Sequence, residues 1–165
     1  MTSEPIMTFK ILTFGESGVG KTSVLRRFIE NKFLKSSYVT TLGIDFKTKT
    51  LNFNNQEIQL NILDTAGIGR FRVQIKENYK GVDGIVLVYD VTDEESYNRI
   101  RNWMEEILSN TQKDEIGLVL LGNKCDRKQR VVTKKKVKKM AKELKISYFE
   151  TSAKTGQGIE EAFET

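Results

Sequence analysis

A glycine-rich segment near the start of the chain restricts the possible folds more than any other feature. It reads Gly15-Glu16-Ser17-Gly18-Val19-Gly20-Lys21-Thr22 and fits the pattern G-x-x-x-x-G-K-[ST]. The apolar run at residues 9–14 predicts a buried strand before it, and residues 21–32 carry apolar side chains at helical spacing. A strand, a glycine-rich turn and a helix in this order predict a phosphate-binding loop in a sheet that alternates with helices.

The residue types of this loop suit a nucleoside polyphosphate. Glycines let the backbone curl around phosphates, and the curled amides and the helix N-terminus direct donors at anionic oxygens. Lys21 supplies a positive charge for the β- and γ-phosphates, and Thr22 offers a hydroxyl to Mg²⁺. The alternative is a glycine-rich turn that only joins the strand to the helix. We assign nucleotide binding to Gly15, Ser17, Gly18, Val19, Gly20, Lys21, Thr22 and Ser23.

The composition narrows the class of protein. A chain of 165 residues suffices for one domain with a core, and no apolar run approaches the 18 residues of a membrane span. The single cysteine, Cys125, excludes an internal disulfide and predicts a cytoplasmic setting, and the absence of histidine excludes a histidine base. Residues 1–8 lack signal-peptide features, so we expect a flexible arm before a domain of residues 9–165.

Strand and helix patterns alternate along the whole chain. The pair Asn54-Asn55 between two alternating runs predicts a hairpin, and residues 84–89 and 118–121 are typical of strands buried on both faces. The fold class is therefore α/β, with a six-stranded, mostly parallel sheet, one antiparallel edge strand and helices on both faces. The predicted strands are 9–14, 45–53, 57–63, 84–90, 117–122 and 147–151, and the predicted helices are 21–32, 70–80, 94–110, 133–144 and 159 to the end.

Much of the net charge of +5 lies in the lysine-rich residues 134–142. They predict a helix that is capped by Thr133 and buries Val137, Met140, Ala141 and Leu144. Its lysines either bind an anionic partner, such as a lipid surface or an acidic protein patch, or form a solvated helix face. We expect no nucleic-acid partner, because no aromatic platform accompanies the charge.

An acidic turn follows the third predicted strand. Asp64-Thr65-Ala66-Gly67 comes directly after residues 57–63. A carboxylate at the end of such a strand suits Mg²⁺, usually through a water, because this ion keeps part of its hydration shell. The backbone amide of Gly67 can approach the γ-phosphate. The D-x-x-G pattern is common in turns, and it becomes informative because a phosphate loop precedes it.

A second polar turn, Asn123-Lys124-Cys125-Asp126, follows the fifth predicted strand. The carboxylate of Asp126 can accept hydrogen bonds from both N1–H and the 2-amino group of guanine, a donor pair that adenine lacks. Asn123 can tie this turn to the phosphate loop, and the stem of Lys124 can cover the base. The alternative is an ordinary polar turn.

A third polar segment, Thr151-Ser152-Ala153-Lys154, follows the last predicted strand. The backbone amides of Ser152, Ala153 and Lys154 can donate to a guanine carbonyl. Phe33, just after the first helix, either packs against the base or belongs to the core.

Together these motifs show that the chain resembles small GTPases of the Ras superfamily, and most closely the Rab family, from residue 9 to residue 163. The nucleotide motifs carry the resemblance to the superfamily. The resemblance to Rab proteins rests on Leu42-Gly43-Ile44-Asp45-Phe46, Arg70-Phe71-Arg72, Tyr79-Lys80-Gly81 and residues 89–97.

The resemblance implies a phosphate-loop G domain that cycles between GTP and GDP with Mg²⁺ and recruits effectors in vesicle traffic. It identifies Thr41 as the switch threonine that joins Mg²⁺, beside Thr22 and Asp64, and senses the γ-phosphate. It further implies a monomer whose effector, exchange-factor and activator proteins bind around residues 36–48 and 67–80. Rab proteins attach to the cytosolic face of internal membranes through a prenylated tail, which we expect beyond residue 165.

The chain departs from the family pattern where the catalytic glutamine is expected. Ile68 and Gly69 replace the usual glutamine and glutamate, and isoleucine cannot orient the attacking water. The catalytic set is thereby reduced to Lys21, Thr41 and Gly67, which predicts slow intrinsic hydrolysis. Rab activators of the TBC class supply a glutamine and an arginine in trans, so a partner can restore turnover.

Three functions remain open from the sequence. The first is a regulatory GTPase that hydrolyses GTP with partner help, and the second is a GTP-binding module that scarcely hydrolyses. The third is another phosphate-loop enzyme, such as a kinase for a small acceptor, against which the turn 123–126 argues. A smaller departure is Leu63, where Rab proteins usually have tryptophan.

Overall fold

Six strands form one sheet in the order β2-β3-β1-β4-β5-β6 in the computed structural model, which describes residues 6–35, 44–65 and 77–165. β2 and β3 pair antiparallel, and the other four neighbouring pairs are parallel, which confirms the predicted sheet. The strands are β1 (Met7–Phe14), β2 (Ile44–Phe53), β3 (Gln56–Thr65), β4 (Gly84–Asp90), β5 (Gly117–Asn123) and β6 (Ser147–Glu150).

Helices cover both faces of this sheet. The helices that lie wholly within the described ranges are α1 (Lys21–Glu30), α2 (Glu94–Asn98), α3 (Ile100–Asn110), α4 (Lys134–Leu144) and α5 (Ile159–Glu164), with a short 3-10 turn at Lys113–Glu115. The core on one face packs under α2, α3 and α4, and the core on the other packs under α1 and α5. In the three described ranges no helix combines the length and the apolar character needed to cross a bilayer.

The predicted helix 94–110 is wrong in one respect, because it divides into α2 and α3 at Arg99. The ψ angle of Arg99 is −13°, on the 3-10 side of helical geometry, and its N–H donates to both Glu95 and Tyr97. The hydroxyl of Ser96 also donates to the backbone carbonyl of Asp93 (2.8 Å), in competition with the regular helical ladder. Most of the predicted helix 70–80 lies outside the described residues.

β1 begins two residues earlier than predicted. Met7 and Thr8 pair with Ile58 and Gln59 of β3, so they belong to the sheet and not to the expected arm of residues 1–8. The apolar pattern missed them because β1 is exposed at its start, where the side chain of Met7 lies in solvent.

The buried strand β4 and the hairpin agree with the sequence. Every residue of β4 is buried, and Asn54 and Asn55 both have positive φ (51° and 64°), as a two-residue hairpin turn requires. β5 differs, because Leu118 and Val119 are only half-buried. The neighbouring strand β6 starts opposite Val119 and leaves the beginning of β5 without a partner on that side.

The N-terminus of α4 allows a stability prediction. The hydroxyl of Thr133 accepts a hydrogen bond from the backbone N–H of Lys136 (3.3 Å), so it satisfies one of the free donors of the first turn. Thr133→Ala is expected to lower the free energy of unfolding by about 1 kcal/mol, whereas Thr133→Ser keeps the cap and most of the stability. Urea unfolding of the three proteins measures this, and equal losses in both variants would contradict the role of the hydroxyl.

Candidate nucleotide-binding site

The loop between β1 and α1 has the backbone that a phosphate cradle needs. Gly20 caps α1 in the left-handed region (φ 98°), and a Cβ there would lie 2.4 Å from Nδ2 of Asn123. A Cβ on Gly15 would lie 2.2 Å from the carbonyl oxygen of Val88. Both positions therefore require glycine, for conformation and for space.

Lys21 lies over this loop with its ammonium group held by backbone. Its Nζ donates to the carbonyl oxygens of Gly15 (2.9 Å) and Glu16 (2.8 Å), and its side chain is buried. Burial lowers the pKa of Lys21 to about 8, although the charges of Asp64 and Glu16 oppose this shift. A buried ammonium with two of its three donors satisfied is well placed for an anionic oxygen.

A buried carboxylate and a hydroxyl meet beside Lys21. The Thr22 hydroxyl donates to Oδ2 of Asp64 (2.5 Å), and Asp64 is fully buried at the end of β3. Its Oδ1 has no hydrogen-bond partner within the ranges that the structure describes. Burial raises the pKa of Asp64, and the Thr22 bond and the charges of Lys21 and Lys47 oppose that rise. A buried oxygen without a partner next to a hydroxyl is the hard donor set that Mg²⁺ prefers, so these residues fit the ion.

Asn123, at the end of β5, connects the phosphate loop with both predicted base-binding segments. Its Nδ2 donates to the carbonyl oxygen of Val19 (3.0 Å). Its Oδ1 accepts from the backbone N–H of Ala153 and from the hydroxyl of Thr151, both at 3.3 Å. One buried amide thus fixes the relative positions of three loops.

Lys124 makes a second link to the phosphate loop. Its Nζ donates to the carbonyl oxygen of Gly18 (2.7 Å) and pairs with Oδ2 of Asp90 (2.6 Å). Asp90 is buried at the end of β4, where its other oxygen accepts from the N–H and the hydroxyl of Thr92. Asp90 was not among the predicted site residues, although an acid at the end of an apolar strand is the same signal that identified Asp64.

Asp126 remains exposed, and its carboxylate is oriented by a neighbour. The hydroxyl of Ser152 donates to its Oδ1 (2.7 Å), so the second and third polar turns meet at this point. Arg27 of α1 secures the third turn by donating to the carbonyl oxygens of Ala153 (2.8 Å) and Lys154 (2.7 Å). Ser152 and Arg27 thus hold the exposed carboxylate and the third turn in fixed positions beside each other.

A contact between α3 and the phosphate loop is the second feature that the sequence did not reveal. Nε1 of the buried Trp103 donates to the carboxylate of Glu16 (2.9 Å), the residue whose carbonyl holds Lys21. The indole also stacks on Phe14 of β1, with ring centroids 5.5 Å apart. No sequence motif marks this pair, because 87 residues separate its members.

The remaining predicted residues differ in how they are placed. Ser17 is exposed in the phosphate loop, and Ser23 lies half-buried on α1. Phe33 is half-buried and packs against the apolar cluster under α1 and α5. Thr41, Gly67 and Ile68 lie outside the described residues.

Comparison with known proteins gives a consistent set of relatives. A model of the Ras family matches residues 10–165. The chain is 45% identical over 156 residues to Ras-related protein Rab-13 of Rattus norvegicus, which covers 94% of this chain and 76% of the relative. It is 46% identical to Ras-related protein SEC4 of Saccharomyces cerevisiae (94% and 72% covered) and 47% identical to Ras-related protein RABE1e of Arabidopsis thaliana (93% and 71% covered).

Proposed function

Because this chain belongs to the Ras family of small GTPases, as a member of its Rab branch, we propose that it is a guanine-nucleotide switch with slow intrinsic hydrolysis. The observation that carries the proposal is the pair of links from the base side of the site to the phosphate loop. Asn123 and Lys124 bind the carbonyl oxygens of Val19 and Gly18, next to the exposed carboxylate of Asp126. One nucleotide can therefore contact the cradle and the carboxylate together.

The switch follows from contacts that only a triphosphate can complete. Thr41 and the amide of Gly67 would reach a γ-phosphate, and they lose that partner when GDP replaces GTP. Mg²⁺, held by Thr22, Thr41 and Asp64, would neutralise phosphate charge. The GTP form then presents the segments around 36–48 and 67–80 to effector, exchange-factor and activator proteins.

Without the usual glutamine, hydrolysis of GTP would depend on the other residues of the catalytic set, Lys21, Thr41 and Gly67. Lys21 stabilises charge on the phosphates, whereas Ile68 offers no group that orients water. The second candidate is therefore a GTP-binding module that scarcely hydrolyses, and Ile68 is the observation that favours it. As in the family, we place the protein in vesicle traffic as a monomer on the cytosolic side of membranes, attached through a lipidated tail.

The base contact is tested through Asp126. Asp126→Asn is expected to weaken GTP binding by about 100-fold, because a charged acceptor of two hydrogen bonds is lost. The same variant should gain affinity for xanthosine triphosphate, whose edge suits an amide. Competition of GTP, XTP and ATP against a fluorescent guanine nucleotide measures the selectivity, with the exposed Asp114→Asn, before the start of β5, as a control away from the site. Unchanged guanine preference in Asp126→Asn would contradict the assigned contact.

The Trp103–Glu16 hydrogen bond predicts an effect on nucleotide release. Trp103→Phe keeps an aromatic ring on Phe14 but removes the donor, so the phosphate loop loses one of its supports. We expect GDP to dissociate at least about tenfold faster, because a hydrogen bond to a charged group contributes about 1.5–3 kcal/mol. Stopped-flow release of labelled GDP measures it, and Glu16→Gln, which keeps an acceptor, should change the rate less. Equal rates of GDP release from Trp103→Phe and the unchanged protein would show that this hydrogen bond does not support the phosphate loop.

A further inference from the structure

The excess positive charge of the protein is concentrated on α4 and the residue after it. Residues 134–145 contain seven lysines and one glutamate, a net charge of +6, whereas the whole chain carries +5. The other residues therefore hold 20 Lys and Arg against 21 Asp and Glu, a net charge of −1. Apart from this helix the protein is close to neutral.

These lysines face away from the core and are largely without acidic partners. Val137, Met140 and Ala141 are buried against the sheet, and all seven lysines are exposed. Lys136 forms an ion pair with Glu94 (2.5 Å). Glu143, the only glutamate of α4, forms an ion pair with Arg101 of α3 (2.6 Å) and not with a lysine of its own helix. Among the described residues no acid lies within 4 Å of the ammonium groups of Lys134, Lys135, Lys138, Lys139, Lys142 and Lys145.

The lysines in the first turn of the helix do not stabilise it, although Lys142 in the last turn suits the helix dipole. Lysines 134–136 occupy the first turn, where the helix dipole is positive and favours acids. At 100° per residue, the five unpaired lysines within α4 fall in an arc of about 140° on the side away from the buried residues. The charge is therefore presented outward as a stripe along a helix about 16 Å long.

We infer that this stripe is a docking face for an anionic bilayer surface, independent of any lipid tail and of the bound nucleotide. Protein interfaces use tryptophan, tyrosine and arginine as anchors and are poor in lysine, and α4 exposes none of those anchors. Single-stranded nucleic acid requires aromatic stacking platforms, which α4 also lacks. A bilayer with acidic headgroups requires only closely spaced cations, and each lysine near its surface strengthens binding about fivefold.

The test is cosedimentation of the purified chain with vesicles. Vesicles with about 30% phosphatidylserine are expected to bind it at about 0.05 M KCl, and binding should fall more than tenfold at about 0.3 M KCl, where the Debye length is shorter. Phosphatidylcholine vesicles should not bind it. Absence of binding to the acidic vesicles at low salt, or binding that does not change with salt, would overturn the inference.

Two charge-matched variants locate the face. Lys135→Glu, Lys138→Glu and Lys142→Glu together should weaken vesicle binding at least 100-fold, because three attractive charges become repulsive. Lys32→Glu, Lys35→Glu and Lys80→Glu make the same change in net charge at exposed positions elsewhere, and should weaken it far less. Thermal unfolding and GDP affinity report whether each variant remains folded. Equal losses in both variants, or equally tight binding of the unchanged protein to duplex DNA at the same salt, would refute a bilayer-specific face.

Discussion

Lys21→Met is expected to lower the affinity for GTP and GDP by at least about 1,000-fold. The substitution keeps the length and much of the volume of the side chain, but it removes the buried ammonium that lies over the phosphate loop. Charge-assisted hydrogen bonds to a polyphosphate in a water-poor site are among the strongest single contacts that a protein makes. Equilibrium binding of a labelled GDP measures the loss.

The same substitution should stabilise the nucleotide-free protein. Burial holds the pKa of Lys21 at about 8, below the 10.5 of an exposed lysine, so the folded state carries this charge at a cost of about 3 kcal/mol at neutral pH. Methionine removes that cost, but it also loses the hydrogen bonds to the carbonyl oxygens of Gly15 and Glu16, each of which contributes about 1 kcal/mol, so a net gain of about 1 kcal/mol is expected. We expect urea unfolding without nucleotide to shift to higher urea, the opposite of the usual result for a buried substitution.

The pH dependence provides an independent check with a defined sign. Between pH 8 and about 10 the unfolded chain keeps the proton of Lys21 and the folded chain releases it, so stability rises with pH. Lys21→Met should lack this rise, whereas the exposed control Lys32→Met should retain it and bind GDP normally. If the nucleotide affinity of Lys21→Met stayed within tenfold of the unchanged protein, the proposed phosphate site would be wrong.

Ile68→Gln is expected to raise the rate of single-turnover GTP hydrolysis by about 10²–10⁴-fold. Glutamine restores an amide that can orient the attacking water, and a positioned polar group of this kind lowers the activation barrier by about 3–5 kcal/mol. The measurement is phosphate release from GTP-loaded protein without activator. Ile68→Leu, which adds no polar atom, is the matched control and should remain as slow as the unchanged chain.

This experiment also separates the two candidate functions. If the unchanged chain and Ile68→Gln hydrolyse GTP at the same ordinary rate, the proposal of slow hydrolysis fails, while nucleotide binding is unaffected. A slow chain that an activator with its own glutamine and arginine accelerates is a regulatory GTPase. A slow chain that no such activator accelerates is a binding module.

Local sequence patterns predicted the sheet well because its signals are short-range. The strand boundaries follow from apolar runs, and Asn54-Asn55 alone determines the hairpin turn. The first two residues of β1 were not predicted, because Met7 belongs to the strand through its pairing with β3 and its side chain is not buried. The division of the helix at Arg99 was not predicted, because α2 and α3 both have helical periodicity. The hydrogen bond from the Ser96 hydroxyl to the backbone does not change that apolar pattern.

The candidate site shows the same division between local and distant signals. Lys21, Asp64 and Asn123 belong to short motifs at strand ends, so their types and positions could be predicted. Asp90 carries the same strand-end signal as Asp64 and could have been predicted, whereas the Trp103–Glu16 pair could not, because its members lie far apart in the sequence and act by supporting a motif residue across the fold. Side chains that hold other side chains have no fixed spacing, and only the three-dimensional arrangement identifies them.

The amide of Asn123 has a consequence for how a nucleotide could be removed. It fastens the carbonyl oxygen of Val19, 104 residues earlier in the chain, and at the same time the loop that contains Ala153. A partner protein that moved the phosphate loop outward would therefore also displace Asn123 and weaken the contacts to the base, without contacting the base itself. Such a partner could release the whole nucleotide by acting on its phosphate end alone.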